Sequence, residues 1–266
     1  MAFSVASWNI NSVRLRIDLV TRLLAEREPD VLCLQETKCP DANFPSGAFR
    51  AAGYPHIALH GQKGYHGVAI VSRRPLEAVD RRLFCGKNDC RHIAATIDDG
   101  CGRPFTVHNL YIPAGGDTPD PETNVKFAHK LSFLGELADC TAAMATPRSI
   151  LVGDLNVAPL ETDVWSHKQM LKVVSHTPVE TAGLERARTE GGWVDLMRRF
   201  VPPEEKLFTW WSYRSPDWQA SNRGRRLDHI WTSPDLAQEA SGMEVLRDAR
   251  AWPRPSDHVP VIARFG

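Results

Sequence analysis

The chain has 266 residues, of which 42% are hydrophobic and 24% are charged, as is ordinary for a globular protein with a sizeable core. Basic and acidic residues number 32 each, so no overall charge attracts nucleic acid or an anionic membrane, and a polyanion would need a local patch. No apolar run is long enough to cross a bilayer, and the start lacks a signal-peptide pattern.

Cysteine use and the absence of linkers bear on the domain organisation and the cellular compartment. The six cysteines show no Cys-x-x-Cys spacing, which argues against a zinc cage. No low-complexity segment or charge block divides the chain. We therefore expect a single domain over residues 1–266, free thiols, a cytoplasmic location and no membrane association.

Two predicted strands near the start of the chain end in polar residues. Residues 3–8 alternate in polarity and lead to Asn9. Residues 31–34 form an apolar run that is typical of a buried strand and delivers Glu36. Taken alone, a glutamate in this position is more often a solvated loop residue.

Three segments are predicted to be helical. Residues 13–28 carry leucines at helical spacing, with Ser12 as the expected cap. Residues 122–140 have the spacing of an amphipathic helix, and residues 161–205 form a long, helix-rich connection.

A hairpin is predicted between the first two helical segments. Residues 91–97 and 105–111 read as strands on either side of an Asp99-Gly100 turn. The second strand ends at Tyr111, and a tyrosine at a strand end is usually a core residue with a hydrated hydroxyl.

The stretch 149–159 presents two polar side chains at the end of an apolar run. Residues 150–152 predict a buried strand that Gly153 breaks. Asp154 and Asn156 then lie on the same side of an extended chain, because side chains repeat every second residue there. An Asx-type turn after a strand is the ordinary alternative and is favoured if this stretch is read alone.

The last third of the chain is aromatic and basic before its final strands. Residues 208–214 include Trp210 and Trp211, and the basic run 223–226 leads into a strand that begins near Asp228. An Asp257-His258 pair precedes the last strand.

The order of these elements predicts an α+β fold with sheets inside and helices outside. Predicted strands end in polar residues in both halves of the chain, at Asn9 and Glu36 in the first half and at Asp154 and Asp257 in the second. We therefore expect two sheets that meet with their polar ends at one rim.

The polar side chains expected at this rim are carboxylates, amides, a tyrosine and a histidine, without cysteine. They are Asn9, Glu36, Tyr111, Asp154, Asn156, Asp228, Asp257 and His258. Such oxygen ligands suit a hard cation, Mg²⁺ or Mn²⁺, and a cation of this kind usually acts on phosphate esters. A Ser-His-Asp hydrolase is excluded because no nucleophile elbow is present, and no glycine-rich phosphate loop opens a helix.

Six motifs distributed over the whole chain resemble, in order, those of the exonuclease III family. They are Trp8-Asn9-Ile10-Asn11, Leu34-Gln35-Glu36-Thr37-Lys38, Tyr111-Ile112-Pro113, Gly153-Asp154-Leu155-Asn156, Arg223-Gly224-Arg225-Arg226-Leu227-Asp228 and Ser256-Asp257-His258. The family belongs to the endonuclease/exonuclease/phosphatase superfamily. The resemblance implies a four-layered α/β sandwich like that of deoxyribonuclease I, with two mainly antiparallel sheets.

The resemblance also implies an activity, a cofactor and a partner. Members of this family are DNA repair nucleases that cut 5′ to abasic sites, and many also remove nucleotides and blocking groups from 3′ ends. The implied cofactor is Mg²⁺, for which Mn²⁺ can substitute. The implied partner is double-stranded DNA with abasic sites or 3′ ends, bound by a monomer.

By resemblance, Glu36 is the principal metal ligand, Asn9 and Asp257 complete the metal site, and Asp154 and Asn156 are further candidate metal ligands. Asp154 would activate the attacking water, while Asn156 would orient that water and hold the phosphate.

The remaining implied roles concern the phosphate. His258 would donate to a non-bridging phosphate oxygen, and Asp228 would keep His258 protonated and correctly turned. Tyr111 would hydrogen-bond the scissile phosphate.

The resemblance extends to a set of DNA contacts. The candidates are Arg91, Lys130, Trp210, Trp211, Arg214, Asn222, Arg223, Arg225 and Arg226. Of the two tryptophans, we expect Trp211 to be exposed beside the abasic gap and Trp210 to be buried. One departure is Ala114-Gly115-Gly116 after Tyr-x-Pro, where better-known members carry an amide side chain; backbone N–H groups of the glycines could substitute.

Two alternatives to the repair nuclease stay open. A phosphatase of phosphoinositides or of another phosphodiester would share the metal ligands and the Asp-His pair. It would not need the aromatic segment 208–214 or the arginines at 223–226. A non-catalytic DNA-binding module on the same fold would not need the full set of catalytic groups.

Overall fold

Two six-stranded β-sheets form the centre of the structure within residues 2–215 and 217–266, which the computed structural model describes. The first sheet contains β1 (Phe3–Asn9), β2 (Val31–Gln35), β3 (His56–His60), β4 (Val68–Ser72), β13 (Ala240–Val245) and β14 (Val261–Phe265). The second contains β5 (Glu77–Asp80), β6 (His92–Asp98), β7 (Pro104–Tyr111), β8 (Ser149–Asp154), β9 (Val194–Asp195) and β12 (Asp228–Thr232). A separate short ribbon pairs β10 (Trp210–Trp211) with β11 (Gly224–Arg225).

Helices flank these sheets. They are α1 (Ile17–Arg27), α2 (Ser46–Ala51), α3 (Val125–Met144), α4 (His167–Met170), α5 (Pro178–Glu190), α6 (Leu196–Phe200), α7 (Trp218–Ser221) and α8 (Pro234–Glu239). No helix in the described ranges combines the length and the apolar character needed to traverse a lipid bilayer.

Each sheet has one parallel strand pair at its centre, and its other pairs are antiparallel. The strand orders are β13-β14-β1-β2-β4-β3 and β5-β6-β7-β8-β12-β9. The parallel pairs are β1 with β2 and β7 with β8. Parallel strands end at the same edge of a sheet, so each sheet collects two strand ends at one position.

Apolar side chains fill the space between the sheets and their outer faces. The central cluster takes Val5 and Ile70 from the first sheet and Val107 and Ile150 from the second. Leucines of α1 cover the outer face of the first sheet, and α3 with α5 covers that of the second. This arrangement confirms the predicted four-layered α+β sandwich.

The first predicted helix begins later than the sequence indicates, at Ile17. Asn11 and Ser12 have φ angles of 47° and 86°, and the Ser12 N–H donates to the Glu36 carbonyl. Ser12 therefore does not cap a helix, and that prediction is wrong.

The long third helix begins at Val125, because the Asn124 side chain caps it by accepting from the N–H groups of Lys126 and Phe127. The predicted hairpin over 91–111 and the helix-rich connection over 161–205 are confirmed.

Gly153 does not break its strand, contrary to the prediction. The strand β8 continues through Gly153 to Asp154, where it pairs with β7 and β12. The φ of Gly153 is 143°, and an added Cβ would lie 1.8 Å from the Leu110 carbonyl oxygen. Only glycine allows β8 to lie this close to β7 immediately before Asp154.

Candidate active site

The two parallel strand pairs deliver the central polar residues. Asn9 ends β1 opposite the last residue of β2, after which the chain turns to Glu36. Tyr111 ends β7 opposite Asp154 of β8, and Asp228 begins β12 opposite the same Asp154. The predicted convergence therefore follows from strand register.

Asn9 connects the carboxylates of the two sheets. Its Nδ2 donates to Glu36 Oε1 at 3.0 Å and to Asp154 Oδ2 at 2.8 Å. The Tyr111 hydroxyl donates to the same Glu36 Oε1 at 2.8 Å. Burial and the negative charges of Glu36 and Asp154 raise the pKa of Tyr111 well above its usual range. Tyr111 is therefore a neutral hydrogen-bond donor at ordinary pH.

Glu36 is held as an anion by a cation that the sequence analysis did not single out. Burial disfavours its charged form, but Lys38, with Nζ 2.7 Å from Glu36 Oε2, outweighs this and lowers the pKa of Glu36. Lys38 also donates to Asn11 Oδ1 at 2.6 Å. The sequence contained one indication of this role, which is that Lys38 belongs to the Leu34–Lys38 motif. Its position after the predicted strand did not by itself identify Lys38 as a site residue.

His258 lies between two buried carboxylates. Its Nδ1 is 2.8 Å from Asp228 Oδ2, and its Nε2 is 3.6 Å from Asp154 Oδ2. Burial alone would lower the pKa of His258, but Asp228 and Asp154 reverse this and raise it to about 10. The imidazolium therefore donates from Nδ1 to Asp228 and directs Nε2 towards Asp154.

Asp154 is completely buried within the same cluster. Burial is the main reason that its pKa rises to about 7, while the charge of His258 acts in the opposite direction. Asp154, Asp228 and His258 also form a group that could hold a metal ion, with one ligand atom of each lying within 4.8 Å of the others.

Three hydrogen bonds hold Asn156, whose φ of 53° is left-handed. Its N–H donates to Asp154 Oδ1 at 3.0 Å, and its Nδ2 donates to the Ile112 carbonyl at 2.9 Å. The buried Lys130 Nζ donates to the Asn156 carbonyl at 2.7 Å. Left-handed conformations at non-glycine residues are costly, and they recur here at Asn156 and Glu36.

Asp257 is held in the site by two side-chain hydrogen bonds. Its Oδ2 accepts from Trp210 Nε1 at 2.9 Å, and its Oδ1 accepts from Asn11 Nδ2 at 3.2 Å. The loop before the last strand is anchored by Ser256, whose hydroxyl donates to the Asn9 carbonyl and accepts from the His258 N–H. Asp257 is thus linked to Glu36 through Asn11 and Lys38.

Several expected DNA contacts are excluded by burial. Lys130 has 0% of its surface exposed and forms an ion pair with Glu180, so the prediction that it contacts DNA is wrong. Arg226 is equally buried and pairs with Asp163 and Asp195, so it cannot reach DNA either.

The two tryptophans have the opposite exposure to the one predicted. Trp211 is 2% exposed and its Nε1 donates to Asn222, whereas Trp210 is half-buried. Trp211 faces the apolar cluster beneath the first sheet, because the β10–β11 ribbon turns alternate side chains to opposite sides. Trp210 is therefore the tryptophan available to a ligand.

Arg91, another expected DNA contact, is also buried, and its guanidinium contacts Tyr111. Its Nη1 donates to the Tyr111 carbonyl at 3.3 Å, and its Cζ lies 4.9 Å from the centre of the Tyr111 ring. Of the remaining candidates, Arg214 and Arg223 are exposed, and Asn222 and Arg225 are half-buried.

The fold and this constellation are those of a phosphodiester-cleaving sandwich enzyme. The sequence profile of the endonuclease/exonuclease/phosphatase family matches residues 6–258, and the chain belongs to this family.

Relatives of known name match almost the whole chain. Exodeoxyribonuclease III of Haemophilus influenzae is 32% identical over 269 residues, covering 97% of this chain and 98% of that protein. An AP endonuclease from Archaeoglobus fulgidus has a similar structure, with a TM-score of 0.89, 32% identity and 99% of both chains covered. The 3′ phosphatase NExo from Neisseria, solved with a product DNA hairpin, gives a TM-score of 0.90, 33% identity and the same coverage.

Proposed function

We propose that this protein is a DNA repair nuclease that hydrolyses the phosphodiester 5′ to abasic sites and also processes 3′ ends. The observation that carries the proposal is the placement of Asp154 between the Asn9–Glu36 pair and the Asp228–His258 pair. The names of the relatives, which include an exodeoxyribonuclease III, an AP endonuclease and a 3′ phosphatase, support this choice of substrate.

Hydrolysis needs one group that accepts a proton and one that carries a proton, and Asp154 and His258 fill these two roles. Asp154, when ionised, takes a proton from the attacking water, and its pKa near 7 suits this task at neutral pH. The His258 imidazolium donates to the phosphate oxygen on which negative charge develops. Asp228 accepts from the other ring nitrogen and so keeps His258 charged and correctly turned.

The donor set at Glu36 fits a hard cation. Glu36, Asn9 and Asp257 offer only oxygen ligands, and Glu36 already balances its charge against the Lys38 ammonium. These three residues would hold Mg²⁺, or Mn²⁺ in its place. The bound cation would neutralise charge on the phosphate. Tyr111 and Asn156 would hold the phosphate, and Asn156 and Asp154 would position the attacking water.

Metal removal tests the function directly. A fluorescent duplex with one tetrahydrofuran abasic analogue is expected to be cut on its 5′ side in Mg²⁺, to be left intact in excess EDTA, and to be cut again after Mn²⁺ is added. Gel analysis of the labelled strand measures this. Robust hydrolysis of inositol phosphates without cleavage of the duplex would instead select the phosphatase alternative.

The pH dependence of incision is expected to be bell-shaped. Activity rises with pH through about 7, because Asp154 must lose its proton to act as a base. Activity falls as pH approaches about 10, because His258 must keep its proton. These limbs are properties of the coupled pair and are measured as kcat/KM from pH 5.5 to 10.

Asp228→Asn provides the control for the upper limb. It removes a carboxylate that raises the pKa of His258, so this limb should move to lower pH by about one unit or more. An unmoved upper limb in Asp228→Asn would contradict the role given to His258.

Double-stranded DNA is the proposed partner, contacted by Trp210, Arg214, Asn222, Arg223 and Arg225. The monomeric state and the cytoplasmic location remain predictions from the sequence.

A further inference from the structure

A cavity of about 480 Å³ lies against the outer face of the second sheet. It is bordered by α5, by the loop after β8, by the corner between β9 and α6, and by β12. On β12, Ile230 packs into the core between the sheets, whereas Trp231 packs on the outer face and lines the cavity. Because alternate side chains of a strand face opposite sides, the cavity lies on the other face of β12 from Asp228.

Apolar side chains supply much of the wall of this cavity. They are Pro159, Leu160, Ala182, Leu184 and Trp231. Ala182 is exposed, so the cavity reaches solvent at α5. Pockets of roughly 300–1,000 Å³ hold small organic ligands. The cavity therefore has the size and the wall of a site for a molecule with an apolar body.

The charged groups around the cavity are balanced. Three arginines line it, and each is paired with a carboxylate. The pairs are Arg226 with Asp163 and Asp195, Arg198 with Asp163, and Arg188 with Glu185. Three cations are thus matched by three carboxylates, and a charged ligand would bring a charge that lacks a counter-charge. This balance favours an uncharged ligand.

Two polar atoms of the lining residues are buried and have no hydrogen-bond partner in the described part of the chain. They are Arg198 Nε and Trp231 Nε1, and both are N–H donors. The rest of the Arg198 guanidinium is held in place, because Nη1 donates to the Pro202 and Glu205 carbonyls and Nη2 donates to Asp163. Trp231 is 1% exposed, and its strand is paired on both sides. Two fixed donors without partners suit a ligand that offers acceptor atoms.

We propose that this cavity is a binding site for an uncharged carbonyl compound with an apolar body. The body packs against Leu184 and Trp231, and the carbonyl oxygen accepts from the free N–H groups of Trp231 and Arg198. The site is independent of the proposed nuclease function, since it lies on the other face of the sheet from the catalytic groups. Its occupant would contact β12, the strand that also carries Asp228.

The first test compares three fluorinated probes on the full-length wild-type protein in EDTA at pH 7.5, followed by ¹⁹F NMR. The ketone 4′-fluoroacetophenone is expected to bind saturably, with a dissociation constant on the order of 1 mM or tighter. Two other probes should each bind at least ~fivefold more weakly: 4-fluorotoluene lacks the acceptor, and 4-fluorobenzoate carries a charge. Absence of saturable ketone binding, or equal binding of all three probes, would overturn the proposal.

Variants and competition locate the ketone. Trp231→Phe keeps an aromatic ring but removes the N–H, so it should weaken ketone binding roughly fivefold. Trp218→Phe, which changes a half-buried tryptophan that does not line the cavity, should leave the affinity unchanged. Unchanged affinity in a folded Trp231→Phe protein would contradict the assignment, and the comparison of probes on the wild-type protein decides if that variant does not fold.

DNA competition separates this site from the proposed function. A saturating duplex with one tetrahydrofuran analogue, left uncut in EDTA, should not displace the ketone, because the catalytic groups lie on the other face of the sheet. Displacement by the duplex would place the ketone at the DNA site and overturn the proposal. Loss of nuclease activity in Mg²⁺ would instead reject the proposed function and leave the binding result unaffected.

Discussion

Asp154→Asn is expected to lower kcat for incision at a tetrahydrofuran site by at least ~100-fold, and His258→Asn should do the same, while DNA affinity stays nearly unchanged. Asp154→Asn leaves one acceptor oxygen, so only one of the bonds donated by Asn9 and Asn156 can be kept, and the amide cannot take a proton from water. His258→Asn removes the positive charge that stabilises the phosphate in the transition state. Single-turnover kinetics and fluorescence anisotropy in EDTA measure the two quantities separately.

The double variant and a surface control sharpen this prediction. Because Asp154 and His258 act in one transition state, combining both substitutions should cost far less than the product of the single effects. Asp139→Asn, which removes an exposed carboxylate on α3 that pairs with Arg186 of α5, should leave turnover and stability near wild type. Turnover within tenfold of wild type in either single variant would reject the roles assigned to that residue.

The catalytic positions could be predicted because a polar residue that follows an apolar run marks the end of a buried strand in the sequence. Asn9, Glu36 and Asp154 each follow an apolar run, and the fold brings them together because each sheet has a central parallel pair that ends at the same rim. The sequence could not state that these pairs are parallel. The resemblance of the six motifs implied only mainly antiparallel sheets, so the parallel pairs and the register of β7, β8 and β12 are known from the structure alone.

The exposure of individual side chains was less predictable, because it depends on distant partners. Trp210 and Trp211 are adjacent, and only the pairing of β10 with β11 decides which one faces solvent. Lys130 resembles a surface lysine in sequence, since its partner Glu180 lies 50 residues further along the chain. Nonlocal ion pairs of this kind leave no local pattern to read.

The helix start at Ile17 has a similar cause. Serine is a residue type that often caps helices, but the Ser12 N–H donates to the Glu36 carbonyl. This hydrogen bond holds residues 11–12 in a left-handed conformation. Here a contact that shapes the active-site loop overrides the local helix signal.

The buried Lys130–Glu180 pair gives the largest expected effect on stability. Both side chains are completely buried, and Glu180 also accepts from the Ser175 and Thr177 N–H groups. Lys130→Met would leave the Glu180 carboxylate buried without its cation, and should lower the free energy of unfolding by ~3–5 kcal/mol. Urea denaturation followed by tryptophan fluorescence measures this change.

The same pair links the interior to Asn156, so activity should respond as well. Lys130 Nζ donates to the Asn156 carbonyl, and its loss should lower kcat more than it raises KM. Lys130→Met combined with Glu180→Gln removes the unpaired charge, so it should recover much of the stability but not the turnover, because the Asn156 carbonyl still lacks its donor.

Lys126→Met, which changes an exposed lysine on the same helix, is the matched control and should alter neither property. A Lys130→Met protein as stable as wild type would show that Glu180 is neutralised without Lys130. A double variant that regains full turnover would show that Asn156 keeps its position without the ammonium. Either result would remove the proposed connection between this buried charge pair and the catalytic loop.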